Sequence, residues 1–312
     1  MSIPQRILGR SGLSVSTIGL GGAAVGEHAR RDDHIRLIHH ALDAGINLID
    51  TAACYAGSEE CIGQALRDRR DQAVLVSKCG HHECLPDGSL RSLPISLVDV
   101  DRALQRLATD RIDVMLLHSY DFDLLARGDA IACLIKAREQ GKIRAIGYSG
   151  DNAPAGWAAG HPQIAVIECS LNLADQANGF AVLPPALRFN TGVVAKRPLA
   201  NAAWRFANTP PEQRPAHLAD YAERLARIGL DPVQLGIAPT PNDRAWAALA
   251  LRFTLSLPGV AAALIGTANL DHLEDHIRTA ALPPLPEPVR LACLQAFDRA
   301  ARACPQPWPG LN

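Results

Sequence analysis

The chain of 312 residues predicts an α/β fold, a single (β/α)₈ TIM barrel spanning residues 1–312. Three observations predict it. Short apolar segments alternate with helical patterns almost from end to end, and there are eight of each. The apolar segments show no regular polar alternation, which is typical of parallel strands covered on both faces. Eight right-handed βα units of this kind close into a barrel.

The strands are predicted where the apolar runs lie, and each is followed by an amphipathic pattern. The first helix, for example, has Ile35, Ile38 and Leu42 on one face and ends before Gly45. The predicted strands are 16–21, 47–50, 73–78, 113–117, 144–149, 165–168, 193–196 and 262–266. The predicted helices are 32–44, 58–67, 94–107, 124–140, 175–187, 216–228, 243–256 and 270–280.

Three segments extend the eight units. Residues 5–15 predict an N-terminal β-hairpin with a turn at Gly12, which we expect to plug the barrel floor. The long interval between the seventh and eighth strands leaves room for a helical insertion at 215–228. Residues 287–303 predict one extra C-terminal helix after a proline-rich stretch.

A doubly wound sheet is the alternative fold. Such sheets commonly carry a glycine-rich loop after the first strand, where a dinucleotide binds. Here the first strand ends in Gly19-Leu20-Gly21-Gly22, without the third glycine in register. The barrel is therefore favoured.

Composition limits the partners of the chain. It is 48% hydrophobic and 20% charged, with a formal net charge of −1, so neither nucleic acid nor an anionic membrane is expected as a partner. The longest apolar runs are broken too early to span a bilayer, and residues 1–6 lack the pattern of a signal peptide. We expect a cytoplasmic protein acting on a small molecule.

Four polar residues lie at or just beyond the ends of successive predicted strands: Asp50, Tyr55, Lys78 and His118. In a (β/α)₈ barrel the active site occupies this rim. Asp50 alone would often be a helix cap, and His118 alone a structural residue. Together they predict a proton-transfer site, in which Lys78 lowers the phenol pKa, Asp50 holds Lys78, and His118 orients or relays. Such a site suits proton delivery to a carbonyl oxygen as hydride reaches its carbon.

The same segments, in the same order, resemble the aldo-keto reductase family over residues 5–280. The matching segments are Gly19-Leu20-Gly21, Asp50-Thr51-Ala52-Ala53-Cys54-Tyr55, Ser58-Glu59-Glu60-Cys61-Ile62-Gly63, Val76-Ser77-Lys78-Cys79-Gly80, Leu116-Leu117-His118-Ser119, Gly141 to Ser149, Pro198-Leu199-Ala200, Ile265-Gly266-Thr267 and His272-Leu273-Glu274. The resemblance implies a barrel that binds a nicotinamide dinucleotide, usually NADP, without a Rossmann domain.

The resemblance also implies a role for individual residues. Tyr55 becomes the general acid–base, Asp50 and Lys78 the groups that tune its pKa, and His118 the residue that orients the carbonyl or relays a proton. Ser149 is expected to bind the carboxamide. The other implied cofactor contacts are Leu199, Ala200 and Asn201 at the pyrophosphate, Gly266, Thr267 and His272 at the adenosine phosphate, and Asp275 and His276 at the adenine. We add Gly22, directly after the first barrel strand.

Three of the predicted site positions depart from the family pattern. Glu168 replaces the usual Gln or Asn at the carboxamide, and only a protonated Glu could donate a hydrogen bond there. Asn172 is a further candidate nearby. Lys196 replaces a stacking aromatic and, with Arg197, is expected at the diphosphate. His272 replaces the Arg that faces the 2′-phosphate, which weakens the case for NADP over NAD.

One further cluster, Cys79-Gly80-His81-His82-Glu83-Cys84, is rich in metal-ligand types but lacks the spacing of a zinc site. We therefore expect no metal.

The interpretation of the whole chain is an enzyme that reduces an aldehyde or ketone with NADPH. Two alternatives stay open, an NAD-dependent dehydrogenase of a sugar or related alcohol, and a nucleotide-sensing regulatory subunit.

Overall fold

Eight parallel strands form a closed barrel, as the sequence predicts. The computed structural model describes residues 3–80, 82–84, 90–238 and 243–311, with residues 82–84 and 90–92 described by their backbone alone. Around the barrel, the strands are β3 (Ile18–Gly21), β4 (Leu48–Asp50), β5 (Val74–Cys79), β8 (Ile112–His118), β9 (Ile143–Ser149), β10 (Val166–Ser170), β11 (Gly192–Lys196) and β12 (Val260–Ile265). The barrel closes where β12 pairs with β3.

Helices follow the strands and cover the barrel. They are α1 (Arg31–Asp43), α2 (Ser58–Leu66), α3 (Leu97–Arg106), α4 (Phe122–Arg127), α5 (Asp129–Glu139), α6 (Asn152–Gly160), α7 (Ala177–Ala181), α8 (Leu183–Phe189), α9 (Ala219–Ile228), α10 (Asp243–Ser256), α11 (Leu270–Ala280) and α12 (Glu287–Arg302). The predicted insertion is α9, and the predicted extra helix is α12. The bounds of α10 and α11 are those that the sequence predicts.

The predicted N-terminal hairpin is confirmed, and it covers one end of the barrel. Strand β1 (Gln5–Ile7) pairs antiparallel with β2 (Ser14–Ser16). Leu8, Leu13 and Val15 are buried in one cluster with side chains from inside the barrel. Because the hairpin lies at the amino ends of the strands, the opposite rim stays open for a site.

Three helical segments differ from the sequence prediction. The predicted helix 124–140 is two helices, α4 and α5, because Gly128 between them has a left-handed φ of 82°. The predicted helix 175–187 is likewise two shorter helices, α7 and α8. Helix α6 was not predicted, since its sequence consists largely of alanine and glycine and has no apolar stripe.

A second short hairpin lies beyond the carboxyl end of β5, where β6 (His82–Cys84) pairs with β7 (Leu90–Ser92). Among the helices in the described parts of the chain, none combines the length and apolar character that crossing a bilayer requires.

Candidate active site

The four residues predicted from the strand ends meet at one rim of the barrel. Asp50 ends β4, Lys78 lies near the end of β5, and His118 ends β8. These strands are neighbours, in the order β4-β5-β8, so their carboxyl ends are adjacent. Tyr55 lies in the turn between β4 and α2. Its N–H donates to Ala52 O at 3.0 Å, and its carbonyl accepts from Ser58 N at 3.0 Å.

Lys78 is the buried cation of this site. Its side chain is fully buried, and its ammonium donates to Asp50 Oδ1 at 2.5 Å and to Thr51 O at 3.0 Å. Burial lowers the pKa of Lys78, but the nearby Asp50 and Glu168 raise it more, so the pKa lies above its usual value. Lys78 is therefore a permanent positive charge at neutral pH.

Tyr55 lies against that charge. The Lys78 ammonium is 5.1 Å from the centre of the Tyr55 ring. Burial raises the pKa of Tyr55 to about 12, although Lys78 acts in the opposite direction. The lowering effect expected from Lys78 is therefore present, but desolvation of the phenolate outweighs it, so the net pKa of Tyr55 lies above its usual value. Tyr55 is a neutral O–H donor at physiological pH.

His118 faces Tyr55 across the site. The two ring centres are 6.3 Å apart and the rings are almost perpendicular. Nδ1 of His118 also lies 3.6 Å from Sγ of Cys54, in the same turn as Tyr55. His118 and Tyr55 thus border one space, in which both polar groups can meet a single substrate oxygen.

Glu168 adds a second carboxyl group to the site. It lies in β10, is 3% exposed, and accepts a hydrogen bond from Ser149 Oγ at 3.1 Å. Its Oε2 is 3.6 Å from Lys78 Nζ, so the ammonium lies between Asp50 and Glu168. Burial and the neighbouring Glu168 raise the pKa of Asp50 well above its usual value, even though Lys78 opposes them.

A large cavity opens from these residues. Its volume is about 1320 Å³, and it runs from Tyr55 and His118 across the rim to α11. Eleven of the predicted cofactor contacts line it: Ser149, Glu168, Lys196, Arg197, Leu199, Asn201, Gly266, Thr267, His272, Asp275 and His276. A cleft of this size has room for more than one drug-sized ligand, which typically needs about 300–1,000 Å³.

The other three predicted contacts lie behind the residues that line the cavity and do not line it themselves. Gly22 packs so closely on β4 that a Cβ there would come within 2.5 Å of Asp50 O. Asn172 is fully buried and donates to Arg197 O at 3.1 Å. Ala200 is 1% exposed. These residues shape the backbone around the cavity.

The loop after β11 carries unusual backbone geometry beside the cavity. Arg197, Ala200, Asn201 and Ala202 all have φ between 45° and 59°, the left-handed region that residues other than glycine seldom adopt. Such strain is concentrated at functional sites and persists where the surroundings hold it. The loop is fixed by the bond from Asn172 and by Arg197, whose Nη1 donates to Leu311 O at 2.7 Å.

Lys196 and Arg197 are engaged before any ligand binds. Lys196 Nζ lies 2.9 Å from Asp151 Oδ2, and Arg197 holds the carbonyl of Leu311. Asp151 itself is fixed by the Ser170 N–H at 2.7 Å. The predicted diphosphate contact from these two cations remains a prediction. It requires a phosphate to approach side chains that already have partners.

The far end of the cavity is formed by the first turns of α11. Asn269 caps the helix, because its side chain accepts from the N–H groups of Asp271 and His272. Burial and the neighbouring His272 lower the pKa of His276 to about 4, so His276 is neutral at physiological pH. Asp275 is one of three carboxylates that line this end, with Asp243 and Asp271.

Three arginines that the sequence analysis did not single out also line the cavity: Arg205, Arg244 and Arg278. Arg244 Nε is 2.8 Å from Asp275 Oδ2, and Arg278 pairs with the other oxygen of the same carboxylate. Only Arg278 had a sequence signal, since it lies three residues after Asp275 on the same helix. Arg205 and Arg244 come from a loop and from α10, which no strand-end pattern locates.

His81 and the side chains of residues 82–84 lie outside the described residues. The expectation that the cysteine- and histidine-rich segment 79–84 binds no metal therefore stays a prediction. Within the part of the chain that the structure describes, no group of three His, Cys, Asp or Glu side chains is placed to hold a metal ion.

Comparisons with known proteins indicate one family. The model of the aldo/keto reductase family matches residues 17–289. L-Galactose dehydrogenase of Arabidopsis thaliana is 26% identical over 88% of this chain and 87% of its own. An aldo-keto reductase of Klebsiella pneumoniae, solved in complex with NADPH, is 25% identical with a TM-score of 0.72 over 100% of both chains. An aldo-keto reductase of Bacillus halodurans in its holo form shares the fold, with a TM-score of 0.77 at 24% identity, over 94% of this chain and 96% of its own.

The family that these comparisons share is one of oxidoreductases, and its fold is the barrel described above. The match covers most of the chain, and the chain belongs to the aldo-keto reductase family.

Proposed function

We propose that the protein transfers hydride between a nicotinamide dinucleotide and a small carbonyl compound or its alcohol, with Tyr55 as the proton donor. The observation that carries this proposal is the buried Asp50–Lys78 pair, at 2.5 Å, beside a Tyr55 that stays protonated at neutral pH. A group that must give up a proton to an oxygen has to hold one in the resting state.

The cavity fits a nicotinamide dinucleotide. Its volume of about 1320 Å³ exceeds the ~300–1,000 Å³ of a pocket for one small ligand. Polar groups for a carboxamide, Ser149 and Glu168, lie at the catalytic end, and cations for phosphate lie at the other. When bound, the reduced dinucleotide supplies hydride, and side chains of the protein supply the proton and orient the substrate.

Four side chains have separate roles in the proposed reaction. The Tyr55 hydroxyl donates to the substrate oxygen, and Lys78 stabilises the phenolate that remains because its charge is 5.1 Å from the ring. Asp50 fixes the position of Lys78. His118, which faces Tyr55, orients the same oxygen. In the reverse direction the phenolate of Tyr55 accepts the proton of an alcohol.

The cofactor we propose is NADP. Arg205, Arg244, His272 and Arg278 line the adenosine end and can meet a 2′-phosphate, and the Klebsiella pneumoniae relative was solved with NADPH. NAD is the second candidate, because Arg244 and Arg278 both pair with Asp275. A carboxylate there also suits a ribose hydroxyl.

The direction of the reaction has two candidates. Reduction of an aldehyde or ketone is the first, since Tyr55 rests in the acid form. Oxidation of a sugar or related alcohol is the second, and the relative in Arabidopsis thaliana is an L-galactose dehydrogenase. A regulatory role as a nucleotide sensor is the third and non-enzymatic candidate, which the paired Asp50 and Lys78 beside Tyr55 disfavour.

The experiment is a titration of purified protein with NADPH and NADH, followed by quenching of tryptophan fluorescence, since Trp204 lines the cavity. Turnover is then measured in both directions with a panel of aldehydes, ketones and aldohexoses. Tight NADPH binding with carbonyl reduction supports the first candidate, and NAD-dependent sugar oxidation supports the second. Binding without turnover of any compound favours the sensor, and no binding contradicts the proposal.

A further inference from the structure

Two buried carboxyl groups share one cation at the catalytic end of the cavity. Asp50 Oδ1 is 2.5 Å and Glu168 Oε2 is 3.6 Å from Lys78 Nζ, and both acids are 3% exposed. With both carboxyls ionised, the three groups carry a net charge of −1 in a region from which water is largely excluded. With one proton between them, the three groups are neutral together.

The surroundings favour the protonated arrangement. The groups that face Glu168 are Ser149 from β9, Lys78 from β5, Asp50 from β4 and Tyr55 from the turn after β4. Lys78 alone among these is a cation, and Asp50 already holds it. Farther along the rim, Lys196 is paired with Asp151. Two carboxyls that share a buried site do not both ionise readily, and the raised pKa of Asp50 agrees with this.

The nicotinamide ring must come close to this group of charges. Hydride has to reach the carbon whose oxygen faces the Tyr55 hydroxyl, and Asp50, Tyr55 and Glu168 line the same end of the cavity. The two forms of the ring differ in charge, because the oxidised ring is a cation and the reduced ring is neutral. In a poorly hydrated site that difference is felt strongly by nearby carboxyls.

We propose that the Glu168 carboxyl, placed with Asp50 on the same cation, makes the site discriminate between the two redox forms of its cofactor, because the one proton held by this carboxyl pair is released when the oxidised form binds. The balance is one cationic nicotinamide ring placed beside the two carboxyls and one proton lost to solvent. The reduced form binds to the neutral, protonated group and releases none. The carboxyl pair thereby favours the oxidised cofactor progressively as pH rises, and with it alcohol oxidation. This inference rests on the proposed nicotinamide binding.

The test compares wild-type protein with Glu168→Gln, which keeps the shape and the hydrogen-bonding capacity of the side chain without its charge. Glu139→Gln is the matched control, since Glu139 is an exposed glutamate at the end of α5. Dissociation constants for NADP⁺ and NADPH are measured at a series of pH values spanning neutrality. Calorimetry in two buffers of different ionisation enthalpy gives the number of protons released per cofactor bound.

The wild type and Glu139→Gln should release close to one proton on binding NADP⁺ and none on binding NADPH. Their preference for NADP⁺ should increase with pH. Glu168→Gln should release none with either form, lose the pH dependence, and shift the affinity ratio toward NADPH by about tenfold. The proton count of the wild type is a test in itself, should the variant not fold.

Equal proton counts and affinity ratios in wild type and Glu168→Gln would overturn the inference and leave Glu168 as a simple carboxamide ligand. That result would leave the proposed function intact. Failure of the wild type to bind either form would overturn both, so the two failures are distinguishable.

Discussion

Lys78 is the residue on which the charge of the active site depends. It is fully buried between Asp50 and Glu168, and it is also the cation nearest the Tyr55 ring. Removing one member of a buried ionic group leaves its partners uncompensated, which is far costlier than losing a surface pair. The same residue should therefore support both stability and turnover.

Replacing Lys78→Met should lower the free energy of unfolding by about 3–5 kcal/mol near neutral pH and abolish measurable turnover. The loss of stability should shrink in acid, where the two carboxyls take up protons. Urea unfolding at two pH values measures it. Lys142→Met is the control, because its ion pair with Asp101 lies at the surface with both side chains partly exposed and should contribute less than about 1 kcal/mol. Equal losses in the two variants would contradict this account of Lys78.

Glycine contacts decide how closely the elements around the site can pack. In α2, Gly63 lies against α3, and a Cβ there would come within 2.5 Å of Leu107 O. The backbone of Leu107 cannot move away as a flexible side chain could. This contact explains why a glycine is needed within the segment 58–63 that follows the turn carrying Tyr55.

Gly63→Ala should therefore destabilise the protein by about 1–3 kcal/mol through overpacking. Gly179→Ala in α7 is the matched control, since no atom lies within 4 Å of its Cβ position. Because alanine is the better helix former, that variant should be neutral or up to about 1 kcal/mol more stable. Thermal unfolding compares them, and a Gly63→Ala variant as stable as the control would refute the packing argument.

Helix α11 contributes a buried histidine to the cofactor end. The pKa of His276 falls to about 4, so the folded protein resists protonation there between pH 6.5 and about 4 while the unfolded chain accepts it. A depressed folded-state pKa means that stability is lost as pH falls through this window. The loss attributable to His276 should be about 3 kcal/mol.

His276→Asn should flatten the fall in stability over that pH window, whatever its effect on stability at neutral pH. The exposed His217 provides the control variant, His217→Asn, which should leave the curve unchanged. The measurement is the free energy of unfolding of the wild type and both variants at several pH values. Parallel curves for wild type and His276→Asn would show that His276 does not titrate as described.

The sequence predicts elements best where one pattern decides them. The bounds of α10 and α11 were predicted correctly, and the bounds of the barrel strands to within a few residues, since long amphipathic or apolar runs with clear ends fix them. The split at Gly128 was missed because one left-handed glycine interrupts an otherwise continuous helical pattern. Helix α6 was missed because its alanine-rich sequence forms a helix only through packing.

The candidate site was predictable where its residues lie at strand ends. Asp50, Lys78 and His118 follow directly from the strand ends, because parallel neighbours bring those ends together. Arg205, Arg244 and Arg278 could not be found in this way, since they reach the cavity from a loop and two helices. The net pKa of Tyr55 also depends on burial, which the sequence does not specify.

At the scale of the whole molecule, the two ends of the barrel have separate tasks. The hairpin at the floor buries Leu8 completely among side chains from inside the barrel. The proposed chemistry lies at the opposite rim. A defect at the floor should therefore change stability without changing the catalytic constants of the molecules that remain folded.

Leu8→Ala should cost about 2–5 kcal/mol of stability and leave kcat and KM within a factor of about two at a temperature where the protein is folded. Ile7→Ala is the neighbouring control, since Ile7 is 61% exposed and should change stability little. Chemical unfolding and steady-state kinetics on the same samples provide both readouts. A large change in KM for Leu8→Ala would mean that floor and rim are coupled.

The central claim is that Tyr55 gives its proton to the substrate oxygen while hydride reaches the substrate carbon. The most direct measurement is a single-turnover experiment with bound NADPH, comparing wild type with Tyr55→Phe on a reducible aldehyde. The account predicts that Tyr55→Phe binds NADPH as tightly as wild type and transfers hydride about 10²–10⁴-fold more slowly. Hydride transfer at the wild-type rate in Tyr55→Phe would contradict it.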